Sequence, residues 1–178
     1  MHGVPRDRHL LRHADVAEGP GRARALRELQ PHPGAGLKTI RLRTDGASRG
    51  NPGPAAIGVV IEDDQGTRLR TFHRFIGIRT NNEAEYQALI DGLKAAAEWK
   101  PDRLEIYLDS KLVVEQVNGT YRVKKPELQP LYQQVKELLG GFRDTPEIKH
   151  VERENNRGAD KLANLALDAQ VKKAAPHG

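Results

Sequence analysis

The order in which two hydrophobic periods alternate along the chain limits its fold more than any other feature. Three consecutive segments, 38–44, 55–62 and 67–78, are of strand type and predict an antiparallel meander. The later segments are predicted as a helix over 82–99, a strand over 103–109, helices over 110–119 and 127–139, a strand over 147–151, and a helix from Asn155 or Asn156 to about Val171. This order predicts an α/β fold with a mixed sheet flanked by helices.

The two flanks of this pattern differ in composition from its body. Residues 1–36 hold four prolines and five glycines but no lysine, phenylalanine, tyrosine or tryptophan. Such a segment offers little apolar surface to bury, so we predict a disordered N-terminal tail over 1–36. The folded domain is predicted over 37–171, and 172–178 is predicted as a short C-terminal tail.

Composition places the chain among soluble proteins of a reducing compartment. It has no cysteine, which excludes disulfides and thiolate metal sites, and we expect a cytoplasmic location. The longest strongly apolar stretch, 55–61, is far shorter than the roughly 20 residues of a membrane span. The 29 basic and 24 acidic residues give a net charge of only +5. Binding of a polyanion would therefore need a local basic surface.

Two predicted strands end in an aspartate. Asp45 has the parity opposite to the inward-facing Leu42, and Asp109 has the parity opposite to Leu108. If these strands are parallel neighbours, both aspartates project from one face at the carboxyl ends, where open α/β sheets place their sites. Residues 45–54 carry three glycines and two prolines and are predicted as a loop, so Asp45 is expected to be only partly buried.

Two further acids lie on predicted helices. Glu85 precedes Leu89 by one turn, close to the apolar stripe, where an unpartnered carboxylate costs free energy. Taken singly, the four acids also have ordinary explanations as a turn residue, a helix entry, a helix-terminal charge and a surface acid, in the order Asp45, Asp109, Glu85 and Asp160. Gathered at one sheet edge, they would repel one another unless a cation lay among them. Oxygen ligands suit Mg²⁺ or Mn²⁺ better than zinc.

The segments that contain these acids resemble the motifs of type 1 ribonuclease H. Four motifs occur in the family's order and on the expected elements: Thr44–Pro54, Thr80–Glu85, Leu108–Ser110 and Asn156–Ala163. The resemblance covers about residues 37–170. It implies a ribonuclease H-like fold whose five-stranded sheet has three antiparallel strands followed by two parallel ones. It also implies an endoribonuclease that hydrolyses the RNA strand of an RNA–DNA hybrid and leaves 5′-phosphate and 3′-hydroxyl ends.

The same resemblance implies which residues form the site. The family's catalytic, metal-binding acids correspond to Asp45, Glu85, Asp109 and Asp160, which would hold two Mg²⁺ ions, with Mn²⁺ as the alternative. Its nucleic-acid contacts correspond to Ser48, Asn51, Thr80, Asn81 and Asn82, with Lys111 close to the substrate. Short amide side chains suit recognition of a 2′-hydroxyl, and Thr80 suits a DNA phosphate. Asn82 is equally consistent with a helix N-cap.

The chain departs from many family members in two places. The basic protrusion between the second and third helices is missing, because only residues 118–125 join those helices. There, Lys124 and Lys125 are interpreted either as a smaller phosphate contact or as a solvated basic loop. His150 falls at a strand end rather than in a mobile loop before the last helix. Arg153 or Glu154 is therefore predicted to replace the loop histidine in product release.

Two rival functions share the fold. One is a nuclease that cuts DNA, and the other is a hybrid-binding module without catalysis. The asparagines before Glu85 argue against the first, and the presence of all four acids argues against the second. The predicted partner is thus an RNA–DNA hybrid. We expect a monomer, and the sequence names no protein partner.

Overall fold

The computed structural model of the protein describes residues 38–174, so the tail predicted over 1–36 lies outside the described residues. Five strands form one sheet in the order β3-β2-β1-β4-β5. Their bounds are β1 (Thr39–Ser48), β2 (Gly53–Asp63), β3 (Arg68–Arg79), β4 (Arg103–Leu108) and β5 (Glu147–His150). The first three strands are antiparallel, whereas β4 is parallel to β1 and β5 is parallel to β4. This arrangement confirms the predicted fold class.

Four α-helices and one 3-10 turn complete the fold. They are α1 (Asn81–Ala97), α2 (Lys111–Val117), α3 (Gln129–Gly140), the 3-10 turn (Arg153–Asn156) and α4 (Arg157–Ala174). A side chain at Gly92 would press on Thr44 and Leu42, so α1 packs on that face of β1. A side chain at Gly58, which pairs with Asp45, would collide with the Ala159 backbone. Because side chains alternate along a strand, α4 covers the opposite face, the one that Asp45 shares.

The hydrophobic core explains why these segments associate. Fully buried side chains of the sheet, among them Leu42 and Ile106, pack with Leu89 and Leu93 of α1 in the main cluster. A smaller cluster of Ala56, Ala166 and Leu167 lies under α4. Small residues at this second interface let α4 approach the sheet closely, which brings the start of α4 near Asp45.

Several predicted boundaries needed correction. Strand β1 continues through Ser48 because β2 pairs with it as far as Ser48 and Ala55, so residues 45–48 are strand rather than loop. Helix α4 runs to Ala174, three residues past the predicted end, since Lys172 and Lys173 suit the negative end of the helix dipole. Residues 172–174 are therefore not a tail, and 175–178 lie outside the described residues.

The start of α1 also differs from one of the two interpretations of Asn82. Thr80 is the N-cap and forms a capping box with Glu83, in which the side chain of each accepts a hydrogen bond from the backbone of the other. Asn82 is the second residue of the helix and does not cap it. Among residues 38–174, no helix combines the length and the apolar composition needed to cross a membrane.

Candidate active site

Three carboxylates from distant parts of the chain meet at one edge of the sheet. Asp45 lies on β1, Asp109 directly follows β4, and Glu85 lies in the first half of α1. One oxygen from each of the three lies within 4.8 Å of the others. The two aspartates come together because β1 and β4 are parallel neighbours, as the sequence predicted, so that their carboxyl ends share one edge.

Gly46 allows α1 to approach this edge. A Cβ atom at position 46 would overlap the backbone of Ala84 and Glu85, so any larger residue would push the helix away. The Gly46 N–H instead donates a hydrogen bond to Glu85 Oε2 at 3.3 Å. The close approach therefore places the Glu85 carboxylate beside Asp45 and supplies one of its few hydrogen-bond donors.

The burial of the three acids is unequal. Asp45 and Glu85 each retain only 5% of their accessible surface, whereas Asp109 is half-buried. The expectation that Asp45 is only partly buried was wrong. The reason is the longer β1 strand, which keeps position 45 between β2 and β4 and beneath the start of α4 rather than at the mouth of a loop.

Burial and like charge raise the pKa of both buried acids. Desolvation is the main cause of raising the pKa of Asp45 to about 7, followed by the charges of Asp109 and Asp160, while Arg153 opposes the shift. Desolvation also raises the pKa of Glu85 well above its ordinary value, with Asp45 and Asp109 adding to it and the Gly46 N–H opposing it. The cluster therefore favours a positive partner, either protons or a cation.

The fourth predicted acid lies beside this cluster. Asp160 is in the first turn of α4, and its Oδ1 accepts a hydrogen bond from Arg153 Nη2 at 2.6 Å. Its charge acts on Asp45, which places it next to the triad although it is not one of the three closest carboxylates. Arg153 and Glu154 share the exposed 3-10 turn that precedes α4, and in the described residues it is Arg153 that contacts the acids.

The predicted nucleic-acid contacts lie around the same edge. The Ser48 hydroxyl donates to the carbonyl of Arg79 at 2.8 Å, and Asn51 Oδ1 accepts from the Asn81 N–H at 3.1 Å. These bonds join the β1–β2 loop to the N-terminus of α1. Asn51 and Asn81 are exposed and Asn82 is half-buried. The Thr80 hydroxyl donates to Glu83 Oε2 at 2.7 Å as part of the capping box.

The predicted basic contacts are all exposed. Lys111 is the first residue of α2, directly after the Asp109–Ser110 pair, and Ser110 caps that helix as predicted. Lys124 and Lys125 lie in the loop between α2 and α3. A cavity of about 710 Å³ adjoins this loop, lined by residues that include Tyr121, Arg122 and Tyr132.

Sequence reasoning missed the part that Asn156 plays. The sequence suggested this residue as a helix cap, but it is completely buried, and its side-chain amide donates to the carbonyl of Thr44 at 2.9 Å. Its only sequence signal was its place four residues before Asp160, which does not reveal a contact between residues 112 positions apart.

Comparison with known proteins agrees with this geometry. A family model described as reverse transcriptase-like matches residues 43–166, a range that includes all four acids. Ribonuclease HI of Halobacterium salinarum is 42% identical over 164 residues, which cover 91% of this chain and 80% of that protein. The chain belongs to the type 1 ribonuclease H family. The resemblance seen in the sequence motifs is thus confirmed.

Solved structures place the chain in the same ribonuclease H group. RNase H1 from Halobacterium salinarum has a TM-score of 0.71 at 45% identity, and the match covers 74% of this chain and 98% of that one. LC11-RNase H1, solved in complex with an RNA/DNA hybrid, has a TM-score of 0.70 at 39% identity, covering 74% and 99%. A bifunctional protein of Mycobacterium tuberculosis is 44% identical over 137 residues, which are 76% of this chain but 37% of that longer protein.

Proposed function

We propose that this ribonuclease H family member is an endoribonuclease that hydrolyses the RNA strand of RNA–DNA hybrids with the help of divalent cations. The products are 5′-phosphate and 3′-hydroxyl ends. The observation that carries the proposal is the meeting of Asp45, Glu85 and Asp109 within 4.8 Å, with Asp160 beside them, in a chain of this family. The hybrid as substrate is supported by LC11-RNase H1, which was solved with one.

The residues of the site fit Mg²⁺ or Mn²⁺. All the donors are carboxylate oxygens, which suit hard cations. Two of the acids are buried among like charges, and burial and repulsion raise their pKa values. Such an arrangement is costly in free energy without a compensating positive charge, whereas a structural cluster of carboxylates would be expected to have basic partners on every side. The proposal assigns two ions to the site, with Asp45 as the shared ligand.

Each acid has a distinct part in this proposal. When bound, the ions supply the positive charge that activates water and stabilises the leaving 3′ oxygen. Asp45 is held rigidly in β1 and fixes the centre of the site. Glu85 and Asp109 complete the ligand set from α1 and the end of β4. Asp160 holds the side of the site where the attacking water is placed.

Arg153 is the stronger of the two candidates to replace the loop histidine. Its guanidinium lies 2.6 Å from Asp160 Oδ1 and reaches the site from an exposed turn, with 74% of its side-chain surface accessible. From there it can neutralise Asp160 and accompany a product phosphate out of the site. Glu154 is in the same turn, but its negative charge would oppose a phosphate, so it is the second choice.

Substrate recognition is assigned to the loop and helix start beside the acids. Asn51 uses its oxygen to hold the Asn81 backbone, and its NH₂ group has no partner among residues 38–174. We assign Asn51, Asn81 and Asn82 to 2′-hydroxyl and base-edge contacts in the minor groove of the hybrid. The loop that Ser48 anchors and the helix start at Thr80 would position the backbones, with Thr80 close to a DNA phosphate.

Exposed lysines extend the proposed contact surface. Lys111 would meet the strand next to the scissile phosphate because it lies two residues after Asp109 at the start of α2. Lys124 and Lys125 would contact phosphates further along the hybrid, in place of the larger basic protrusion of other family members.

The test is cleavage of an end-labelled RNA–DNA hybrid by the full chain with Mg²⁺, with Mn²⁺ or with EDTA. We expect cutting within the RNA strand in both metals and none in EDTA, with 5′-phosphate on the downstream fragment. The matched controls are duplex DNA, duplex RNA and the Asp45→Asn variant. Cutting that persists in EDTA would exclude the metal mechanism, and preferential cutting of duplex DNA would favour a DNA nuclease instead.

A further inference from the structure

Two hydrogen bonds tie the 3-10 turn to the strand that carries Asp45. Asn156 Nδ2 donates to the carbonyl oxygen of Thr44 at 2.9 Å, and Arg43 Nη1 donates to the carbonyl oxygen of Asn155 at 3.0 Å. Both contacts on β1 come from the two residues that directly precede Asp45. The turn is therefore attached at the base of the acid cluster rather than at a distant part of the sheet.

The Asn156 bond continues the sheet where its own pairing stops. The parallel register between β1 and β4 ends at Arg43 and Tyr107, and Thr44 is the next residue on β1. The amide of Asn156 supplies a donor to the Thr44 carbonyl at that point. Because a buried carbonyl without a partner is costly, this bond fixes where the turn can lie.

The burial of Asn156 argues for more than a packing role. The residue is 0% exposed, and its Oδ1 has no hydrogen-bond partner among the described residues. An amide that is buried with one end unsatisfied lowers stability relative to a well-packed apolar side chain. Its presence is explained if the bond it does make positions the next segment of the chain.

That next segment carries Asp160. Asn156 is the last residue of the turn, α4 begins at the next residue, and Asp160 comes four residues later, about one helical turn away. We infer that Asn156 is a positioning residue, which holds the first turn of α4 against β1 and thereby sets the distance between Asp160 and Asp45. This inference rests on the proposed function in one respect, namely that the acids form a cation site.

The test compares Asn156→Ala with Asn118→Ala in the full chain. Asn118 is a matched control because its Nδ2 also donates to a strand carbonyl, that of Ile148, at 3.0 Å. Three quantities are measured for each variant: the thermal midpoint, the Mn²⁺ dissociation constant by calorimetry without substrate, and kcat and KM on the hybrid. Asn156→Ser, which keeps a short donor, is the conservative variant.

We expect both alanine variants to lower the thermal midpoint, whereas only Asn156→Ala weakens Mn²⁺ binding, by about tenfold or more. Its kcat should fall by a similar factor with little change in KM, and Asn156→Ser should be intermediate. Equal effects of the two alanine variants on Mn²⁺ affinity and kcat would overturn the inference. Failure of both Asn156 variants to fold would overturn it as well, because it would make the residue purely structural.

The readouts separate this inference from the proposed function. If the wild-type chain binds Mn²⁺ but does not cut the hybrid, the proposed function fails while the Mn²⁺ affinities still decide the role of Asn156. If the wild-type chain cuts the hybrid and Asn156→Ala retains full Mn²⁺ affinity and kcat, the positioning role fails alone.

Discussion

The backbone N–H of Gly46 donates to the Glu85 carboxylate at 3.3 Å, a contact between residues 39 positions apart. It is possible because no side chain at position 46 separates β1 from α1. Neither the strand nor the helix by itself would place Glu85 beside Asp45. The glycine of the Asp45–Gly46 pair therefore serves helix–strand packing rather than a turn.

Gly46→Ala tests this packing. The added methyl group would overlap the backbone of Ala84 and Glu85, which cannot move aside as a flexible side chain can. We expect a loss of about 1–3 kcal/mol in the free energy of unfolding, measured with urea, together with weaker Mn²⁺ binding. Gly140→Ala is the control, since its Cβ would meet nothing within 4 Å, and it should leave stability unchanged or slightly higher. Equal stability of the two variants would contradict the packing argument.

Asp45→Asn separates charge from shape at the centre of the site. The amide keeps nearly the same volume but removes a charge on which the proposed ions depend. We expect turnover on the hybrid to fall below about 1% of wild type, while the circular dichroism spectrum is unchanged. Thermal unfolding in EDTA near pH 8 should occur at a higher temperature than for wild type, because like-charge repulsion is relieved. Retention of wild-type turnover would remove Asp45 from the mechanism.

The pH dependence of stability is set in part by the raised pKa of Asp45. The ordinary value of 3.8 applies to the unfolded chain, whereas the folded value is about 7, so the folded state binds the proton more tightly. Between about pH 4 and 7, stability in EDTA should therefore fall as pH rises, by an amount on the order of 1–4 kcal/mol, with Glu85 acting in the same direction.

Urea unfolding at pH 5 and pH 8 in EDTA checks this expectation. The Asp45→Asn variant is the control and should show a smaller decrease, since it lacks the titrating group. Saturating Mn²⁺ should reverse the trend, because ions bind the deprotonated carboxylates. A wild-type stability that rises over this range would show that the cluster does not hold its protons.

Arg153→Ala tests the partner of Asp160. The guanidinium neutralises Asp160 and lowers the pKa of Asp45, so its loss should lower kcat by roughly tenfold and move the acidic limb of the pH–rate profile to higher pH. The control is Arg143→Ala, in which an arginine of similar exposure loses its contact with Asp102. If both variants keep the wild-type profile, Arg153 forms only a surface ion pair.

Lys124 and Lys125 are tested through the salt dependence of hybrid binding. Changing both to alanine should weaken binding most at low salt and reduce the slope of log K against log salt by about 1–2, since each phosphate contact releases counterions. The control changes Lys94 and Lys100, which are exposed at the far end of α1. A slope equal to that of wild type would identify the α2–α3 loop as a solvated basic segment.

The sequence by itself determined the strands, the helices and the places of the acids on them. Alternating residues up to Leu42 and Leu108 predicted two strands that end in aspartate, and the motif order predicted the family, because these signals are local. The tertiary structure decided the rest. The burial of Asp45, the approach of Glu85 over Gly46, and the attachment of Asn156 to Thr44 join residues 39 to 112 positions apart. A local pattern records which face a side chain takes, whereas the partner on that face is set by how the helices pack on the sheet.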